Sequence, residues 1–287
     1  MAGPLAVLLW VASIVTVHAG SVSLHRAAAG TDGKMSVYVW NSRRILYQAK
    51  NDPLLWRTLT QYGINRLLLS LDRRQIDGLA QAGNKTDLQR FIARAGTRGI
   101  RVALLLGEPL WILPEYRPDL LGIISRLEDL PFSGLHLDLE PDQLDRKKVR
   151  RQDLVDNLVR TLQAVTAVSP WPVGVSLHPR YLDPGQSISL GNRLTDLGIA
   201  EVTLMIYVAD PARVSRRALP ILKQYPALPI AVAQSVEPVL PAGESYAGKG
   251  RHCFRRQMRQ LRSTLALAAN FTTLVIQSWQ DFIELAP

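Results

Sequence analysis

The sequence predicts a single (β/α)8 barrel that follows an N-terminal signal peptide. Strand-like runs rich in Leu and β-branched residues recur along the chain, helix-length segments separate most of them, and glycine or proline precedes several runs. Strands that alternate with helices favour parallel pairing with helical crossovers, and eight such units close a barrel. An open doubly wound sheet is the alternative, but no glycine-rich phosphate fingerprint follows the first run.

Eight runs have the length and composition of buried strands. They are Ser36 to Asn41, Ile64 to Leu71, Ile100 to Gly107, Gly134 to Pro141, Pro172 to Pro179, Glu201 to Val208, Pro229 to Pro238 and Thr272 to Phe282. The predicted helices are Asp52 to Tyr62, Lys85 to Arg98, Leu120 to Leu130, Arg151 to Val168, Pro211 to Gln224 and Tyr246 to Ala269, with a weaker pattern at Leu190 to Leu197. Together these segments account for one domain.

The N-terminus has the pattern of a secretory signal. Residues 1 to 24 contain no Asp, Glu, Lys or Arg, and an apolar run from Pro4 to Val17 ends near the short side chains of Ala19 and Gly20. We expect residues 1–20 to be a signal peptide, 21–35 a linker and 36–287 the barrel, with a mature chain that is secreted or periplasmic. A retained anchor is the alternative, although the run is short for a span of about 20 apolar residues. No stable membrane span is expected after cleavage.

The net charge and the cysteine content indicate which classes of partner and which compartment suit the chain. The net charge is +10, which attracts polyanions, but the basic clusters do not interleave with aromatic residues as a nucleic-acid platform would. We therefore expect a polysaccharide or oligosaccharide partner, possibly anionic, and no nucleic acid. Cys253 is the single cysteine, so the chain can form no internal disulfide, which suits a bacterial envelope. We expect a monomer without a cofactor.

The fourth strand-like run carries the strongest chemical signal. Its alternation of polar residues with Leu places His136, Asp138 and Glu140 on one face. Reactive groups of such barrels lie at the carboxyl ends of the strands, and buried titratable groups are costly unless they are paired or used. We therefore expect chemistry at this strand end.

This run resembles the D-x-x-D-x-D-x-E signature of family 18 chitinases. Asp138 and Glu140 match its last two acidic residues, while Ser133 and His136 replace the first two. The resemblance implies that Glu140 is the general acid/base and that Asp138 orients the substrate's own N-acetyl group, which acts as the nucleophile. It also implies the barrel fold predicted above.

Two later segments extend the resemblance at low identity. Met205-Ile206-Tyr207 is similar to the family's M-x-Y element, which implies that the Tyr207 hydroxyl steadies the reacting acetamido group. Ser278-Trp279 is similar to the family's final strand, which implies that Trp279 forms the floor of a sugar subsite. The missing middle aspartate leaves His136 to hydrogen-bond Asp138, with a charge that depends on pH.

A second carboxylate leaves the mechanism open. Glu237-Pro238 ends the seventh run as Glu140-Pro141 ends the fourth. Retaining glycosidases place an acid and a nucleophile about 5 to 5.5 Å apart, and Glu237 is the candidate nucleophile for such a scheme. Further candidates for the substrate-binding wall are His178, Gln234 and Trp111.

Two classes of function follow from these residues. The first is a glycoside hydrolase acting on a cell-surface or extracellular polysaccharide, and the second is a non-catalytic glycan-binding barrel. Glu140 favours the enzyme because sugar binding alone needs no proton donor, whereas loss of the middle aspartate favours the lectin. No recognised ligand spacing supports a metal site.

Overall fold

The computed structural model describes residues 34–144, 150–183 and 190–286, and within these ranges the chain forms one closed barrel. Parallel strands follow one another in chain order: β1 Met35–Val39, β2 Ile64–Ser70, β3 Arg101–Leu106, β4 Leu135–Leu137, β5 Val173–Leu177, β6 Glu201–Met205, β7 Ile230–Ser235 and β8 Phe271–Gln277. β8 pairs with β1, with Ser36 opposite Val275, and this pairing closes the sheet. The predicted (β/α)8 barrel is confirmed and the open sheet is excluded.

Helices surround the barrel in each crossover. They are α1 Ser42–Asn51, α2 Leu54–Gln61, α3 Arg73–Gly78, α4 Ala82–Gly96, α5 Arg117–Leu127, α6 Arg151–Val168, α7 Leu190–Asp196, α8 Pro211–Gln224, α9 Gly250–Leu265 and α10 Trp279–Glu284. The bounds of α6 and α8 are those predicted from the sequence. The sequence analysis did not predict α1 and α3, so the first two crossovers each contain one more helix than expected.

Glycines end several helices where the sequence predicted a turn. Gly63, Gly99 and Gly198 have φ angles of 69°, 69° and 68°, in the left-handed region that glycine adopts without strain. Each lies just before a strand, namely β2, β3 and β6. These residues therefore turn the chain from a helix back into the barrel.

The hydrophobic core has two layers. A large cluster fills the space between the strands and the helices, with fully buried members such as Leu104, Leu204 and Phe254. A smaller cluster fills the barrel interior and consists of Tyr38, Leu68, Ala103, Leu105, Ala231, Ala233 and Val275, with Tyr207 packed against it. Side chains of this inner layer identify which face of β1, β2, β3, β7 and β8 points inward.

The barrel interior also contains a buried ion pair. Arg66 on β2 pairs with Glu201 on β6, and Glu201 also accepts a hydrogen bond of 2.6 Å from Thr272. Arg66 donates to the Ser36 hydroxyl at 2.8 Å. These four residues lie near the amino ends of their strands. They therefore close the end of the barrel opposite the carboxyl ends of the strands.

The first and last strands have other bounds than those predicted. The expected signal peptide, residues 1–20, and most of the expected linker lie outside the described residues, and β1 begins at Met35. The eighth strand stops at Gln277, and the chain continues into α10 rather than extending to Phe282. Among the helices of the described ranges, none is both long enough and apolar enough to cross a membrane.

Candidate functional site

Asp138 and Glu140 lie directly beyond the carboxyl end of β4. The regular strand ends at Leu137, but the Asp138 amide still donates to the Leu106 carbonyl at 2.9 Å, which holds the segment against β3. Glu140 then precedes a 3-10 turn that begins at Pro141. The β3 hydrogen bond before the two carboxylates and the 3-10 turn after them therefore fix the backbone that carries both.

Burial changes the acidity of Asp138. Desolvation, followed by the charge of Glu140, raises the pKa of Asp138 to about 7. Its Oδ1 is buried and has no hydrogen-bond partner among the described residues. This unpaired carboxyl oxygen can therefore bind a ligand or a proton.

Glu140 has the properties of a proton donor. Burial and then the charge of Asp142 raise the pKa of the Glu140 carboxyl, while a hydrogen bond of 2.5 Å from the Gln143 side chain opposes that rise. A carboxyl with a raised pKa keeps its proton at higher pH, which is what general acid catalysis requires. The carboxyl is only partly buried, so a ligand can reach it.

Tyr207 follows β6 and lies within the electrostatic reach of three carboxylates. Burial raises the pKa of its phenol, and the charges of Asp138, Glu237 and Glu140 raise it further. The structure therefore brings these four predicted site residues to the same end of the barrel. The neutral phenol is a hydrogen-bond donor in this group at all ordinary pH values.

A second set of polar residues lines the opposite side of this mouth. Glu237 accepts hydrogen bonds of 3.2 Å from the Ser235 hydroxyl and 3.2 Å from the Gln277 amide. The Gln277 side-chain oxygen in turn accepts from the Trp40 indole at 3.0 Å. Burial raises the pKa of Glu237, although both hydrogen bonds oppose that rise.

Trp40 is a mouth residue that the sequence analysis missed. It follows β1, lies parallel to the Tyr38 ring with centroids 5.9 Å apart, and is 36% exposed. A methyl group added at Gly107 would lie 3.4 Å from Asp138 Cβ and 3.5 Å from Trp40 Cη2, so the indole is a close neighbour of the acidic pair. Inspection of the last few residues of each run, which identified Asp138 and Glu140 in the fourth, would have identified Trp40 in the first.

His136 does not contact Asp138 as expected. Its Nε2 lies 2.9 Å from the Ser176 hydroxyl, which also bonds the Tyr38 hydroxyl at 2.7 Å. The absence of a side chain at Gly174 makes room for the ring, since a Cβ there would be 3.1 Å from His136 Nδ1. The expected pH-dependent charge is also wrong, because burial and the charge of Arg66 lower the pKa of His136 to about 3.

Trp279 and Gln234 lie away from the open mouth. Trp279 is 2% exposed and packs in the outer core near Phe282, so it presents almost no surface to a sugar. Gln234 is fully buried, and its amide donates to the carbonyls of Ile206 and Ala233. Since Ala233 faces the barrel interior, its neighbour Gln234 faces the helices.

His178 and Trp111 occupy the turns after β5 and β3. His178 is exposed, and its Nδ1 accepts the Arg180 amide at 3.2 Å. Partial desolvation, followed by the charge of Arg180, lowers its pKa. Trp111 is partly buried against the outer core, and its carbonyl accepts from Thr161 at 3.1 Å. Within the described ranges, no three His, Cys, Asp or Glu side chains are grouped to hold a metal ion.

The raised pKa of Asp138 predicts a pH-dependent gain in stability for Asp138→Asn. The folded state holds this proton more tightly than the unfolded state, so wild-type stability falls as pH rises from about 4 to about 7. We expect the isosteric variant to be more stable than wild type by about 2 to 4 kcal/mol at pH 8 and by less than about 1 kcal/mol at pH 4. Urea unfolding at both pH values measures this difference.

Glu115→Gln is the matched control, because it removes one negative charge from an exposed position. It should leave the free energy of unfolding within about 0.5 kcal/mol of wild type at both pH values. Parallel pH profiles for wild type and Asp138→Asn would contradict the assignment of a buried carboxyl with a raised pKa.

Comparison with known proteins identifies the fold but does not identify a family. No family model matches the chain, and no curated protein matches it by sequence. Similar solved structures include an endo-1,4-β-mannanase from Rhizomucor miehei, which is 10% identical with a TM-score of 0.59 over 87% of this chain and 88% of that one. A class V chitinase mutant from Cycas revoluta, in complex with (GlcNAc)3, is 10% identical with a TM-score of 0.55 over 87% and 96%.

A sugar phosphate isomerase/epimerase from Parabacteroides distasonis is similar to the same degree, at 10% identity and a TM-score of 0.53 over 88% of this chain and 90% of that one. At such identities the likeness shows the fold alone. Glycoside hydrolases are among the structural neighbours, together with enzymes of other reactions. Any assignment of function therefore depends on the residues at the mouth.

Proposed function

We propose that this protein is a glycoside hydrolase that cleaves an amino-sugar-containing polysaccharide with Glu140 as its general acid/base. The observation that carries the proposal is the pair of neighbouring carboxyls beyond β4. Burial raises the pKa of both Asp138 and Glu140, and both act on the Tyr207 phenol. Perturbed acids grouped at the carboxyl end of a barrel are typical of a catalytic site.

Each residue has a distinct part in the proposed reaction. Glu140 donates its proton to the glycosidic oxygen as the bond to the leaving sugar breaks, and the acetamido oxygen of the substrate attacks the anomeric carbon. Asp138 accepts the acetamido N–H and so orients the group for attack, and the Tyr207 hydroxyl donates to it. Water then opens the cyclic intermediate while Glu140 takes back a proton.

The substrate class is supported by the fourth-strand resemblance to family 18 chitinases and by the aromatic wall at Trp40. The 36% exposed indole offers the flat apolar face on which a pyranose ring stacks. The apolar, uncharged N-terminus supports export, so the proposal places the protein in the secreted or periplasmic space as a monomer.

A second mechanism is favoured by the way in which Glu237 is held. Two hydrogen bonds fix this carboxyl at the mouth, as a nucleophile would need, and its charge acts on the same phenol as that of Glu140. In this scheme Glu237 attacks the anomeric carbon, and the substrate needs no acetamido group. The raised pKa of Glu237 weakens the case, because a nucleophile must be ionised.

The test compares oligomers of β-1,4-linked GlcNAc with the same oligomers after deacetylation, between pH 4 and pH 8. Cleavage of the acetylated oligomer alone, seen as shorter products by mass spectrometry, is the expected result. Cleavage of both oligomers would favour the Glu237 mechanism. Saturable binding without products across this pH range would overturn the hydrolase and leave a glycan-binding barrel.

A further inference from the structure

A cleft of about 880 Å³ opens on the outside of the barrel between α1, α3 and α4. Small-molecule sites have volumes of roughly 300 to 1,000 Å³, so the cleft is large enough for a ligand. Two neighbouring crossovers form its walls, since α1 joins β1 to β2 and α3 and α4 join β2 to β3. The mouth residues Asp138, Glu140 and Tyr207 are not among its lining residues.

The floor of the cleft is apolar and mostly aliphatic. Its apolar lining consists of Leu46, Ala49, Leu71, Leu79, Leu88 and Phe91. Leu46 and Leu79 are only partly buried, so they present hydrocarbon surface to the cleft rather than to the core alone. Such a floor suits an alkyl chain, because each methylene buried there strengthens binding by about fourfold.

The rim of the cleft is cationic. Its charged lining residues are Arg43, Lys50, Arg74, Arg90, Arg94 and a single acid, Asp87. Asp87 is shared between Lys50 at 2.5 Å and Arg90 at 3.1 Å. The rim therefore has an excess of positive charge.

Of the three remaining rim cations, Arg43 pairs with Asp72 at 2.9 Å, and Arg74 and Arg94 have no ion-pair partner among the described residues. The Arg94 guanidinium donates to the Ala49 carbonyl at 2.6 Å, which leaves its charge in place. Arg74 is exposed and takes part in none of the ion pairs found in the described ranges. An anionic group beside Arg74 would meet this cation while an attached chain lay on the floor.

We propose that this cleft binds a long-chain carboxylate, that is, a single-chain amphiphile whose anionic head meets the Arg74 side of the rim and whose alkyl chain covers Leu46 and Leu79. The charge of the rim selects the head group, and the aliphatic floor selects the chain. The uncharged polar lining residues Gln75 and Asn84 already hydrogen-bond Ser42 and Gly78, so a neutral sugar would find few free polar partners. A polyanion without a chain would leave the floor uncovered. The site is independent of the proposed hydrolase.

The experiment titrates the full chain with dodecanoate, below its micelle concentration and at low ionic strength, by isothermal titration calorimetry. Saturable binding at one site is expected. Butyrate has the same head with a short chain, and dodecyl maltoside has the same chain with an uncharged head. Both should bind at least tenfold more weakly than dodecanoate.

Variants locate the site. Arg74→Gln should weaken dodecanoate binding by about fivefold, as expected for one exposed charge pair. Arg73→Gln is the matched control, because Arg73 is the adjacent arginine of α3, its side chain is 94% exposed, and it does not line the cleft. Leu79→Gln should weaken binding by at least about tenfold, with circular dichroism to show that the variant is folded.

Three results would overturn the proposal: no saturable binding of dodecanoate, equal binding of dodecyl maltoside, or equal losses in Arg73→Gln and Arg74→Gln. Glu140→Gln should bind dodecanoate as wild type does. Dodecanoate binding and glycan cleavage can therefore fail separately, and each result bears on its own site.

Discussion

Replacing Glu140 with Gln is expected to lower the turnover of an N-acetylated oligosaccharide by about 10² to 10⁴-fold and to change its affinity little. Glutamine has the same shape as a protonated glutamate but no acidic proton to give to the glycosidic oxygen. The Gln143 side chain and Pro141 turn that position residue 140 are unaffected by the change. Initial rates and calorimetric binding of the same oligomer measure the two quantities.

Glu237→Gln distinguishes the two mechanisms. If the substrate's acetamido group attacks, this variant should lose no more than about tenfold in rate, since Glu237 then only shapes the mouth. If Glu237 is the nucleophile, its loss should be as severe as that of Glu140. Wild-type turnover in Glu140→Gln would remove Glu140 from the reaction altogether.

The fold was predictable because the alternation of strands and helices agrees with the positions of the turn residues. Strand runs and amphipathic segments alternate with regular spacing, and glycines with positive φ stand at Gly63, Gly99 and Gly198, where the turns were expected. The short helix α3 was missed because its charged sequence, Arg73-Arg74-Gln75, has too little apolar periodicity to show one face. Its N-cap by Asp72 was the available signal.

The acidic pair was predictable because an alternating run fixes which side chains share a face. The same reasoning fails at Gln234, since strands of a parallel barrel are buried on both faces and no polar alternation marks the inner one. It fails at Trp279 for another reason. β8 ends two residues earlier, so the period of two no longer applies when the chain has entered α10.

The partner of His136 depended on register between distant strands. His136 stands opposite Gly174 in the β4–β5 pairing, which brings Ser176 beside the ring one step further along β5. No local pattern in the sequence specifies that register. The consequence is a neutral, buried imidazole that is linked to Tyr38 through the Ser176 hydroxyl, rather than a switch beside the acidic pair.

Arg66→Met is expected to lower the free energy of unfolding by about 3 to 5 kcal/mol, because it leaves Glu201 as an unpaired carboxylate inside the barrel. The two side chains are only 14% and 10% exposed. Although burial raises the pKa of Glu201, the Arg66 charge and the hydrogen bonds to Glu201 outweigh it, and the net pKa is lowered. Removing Arg66 therefore removes the main group that keeps this carboxyl ionised. Urea unfolding at pH 7 measures the loss.

Arg126→Met provides the matched control, because the Arg126–Asp77 pair also joins a guanidinium to a carboxylate, at 3.0 Å, but lies on the surface, with side chains 55% and 53% exposed. Its loss should cost at most about 1 kcal/mol, since water screens an exposed pair and solvates the charge that remains. In the double variant Arg66→Met with Glu201→Met, most of the lost stability should return, because two apolar side chains leave no buried charge. Equal losses in Arg66→Met and Arg126→Met, or a double variant no more stable than Arg66→Met, would show that the cost lies in packing around Arg66 and not in an uncompensated Glu201.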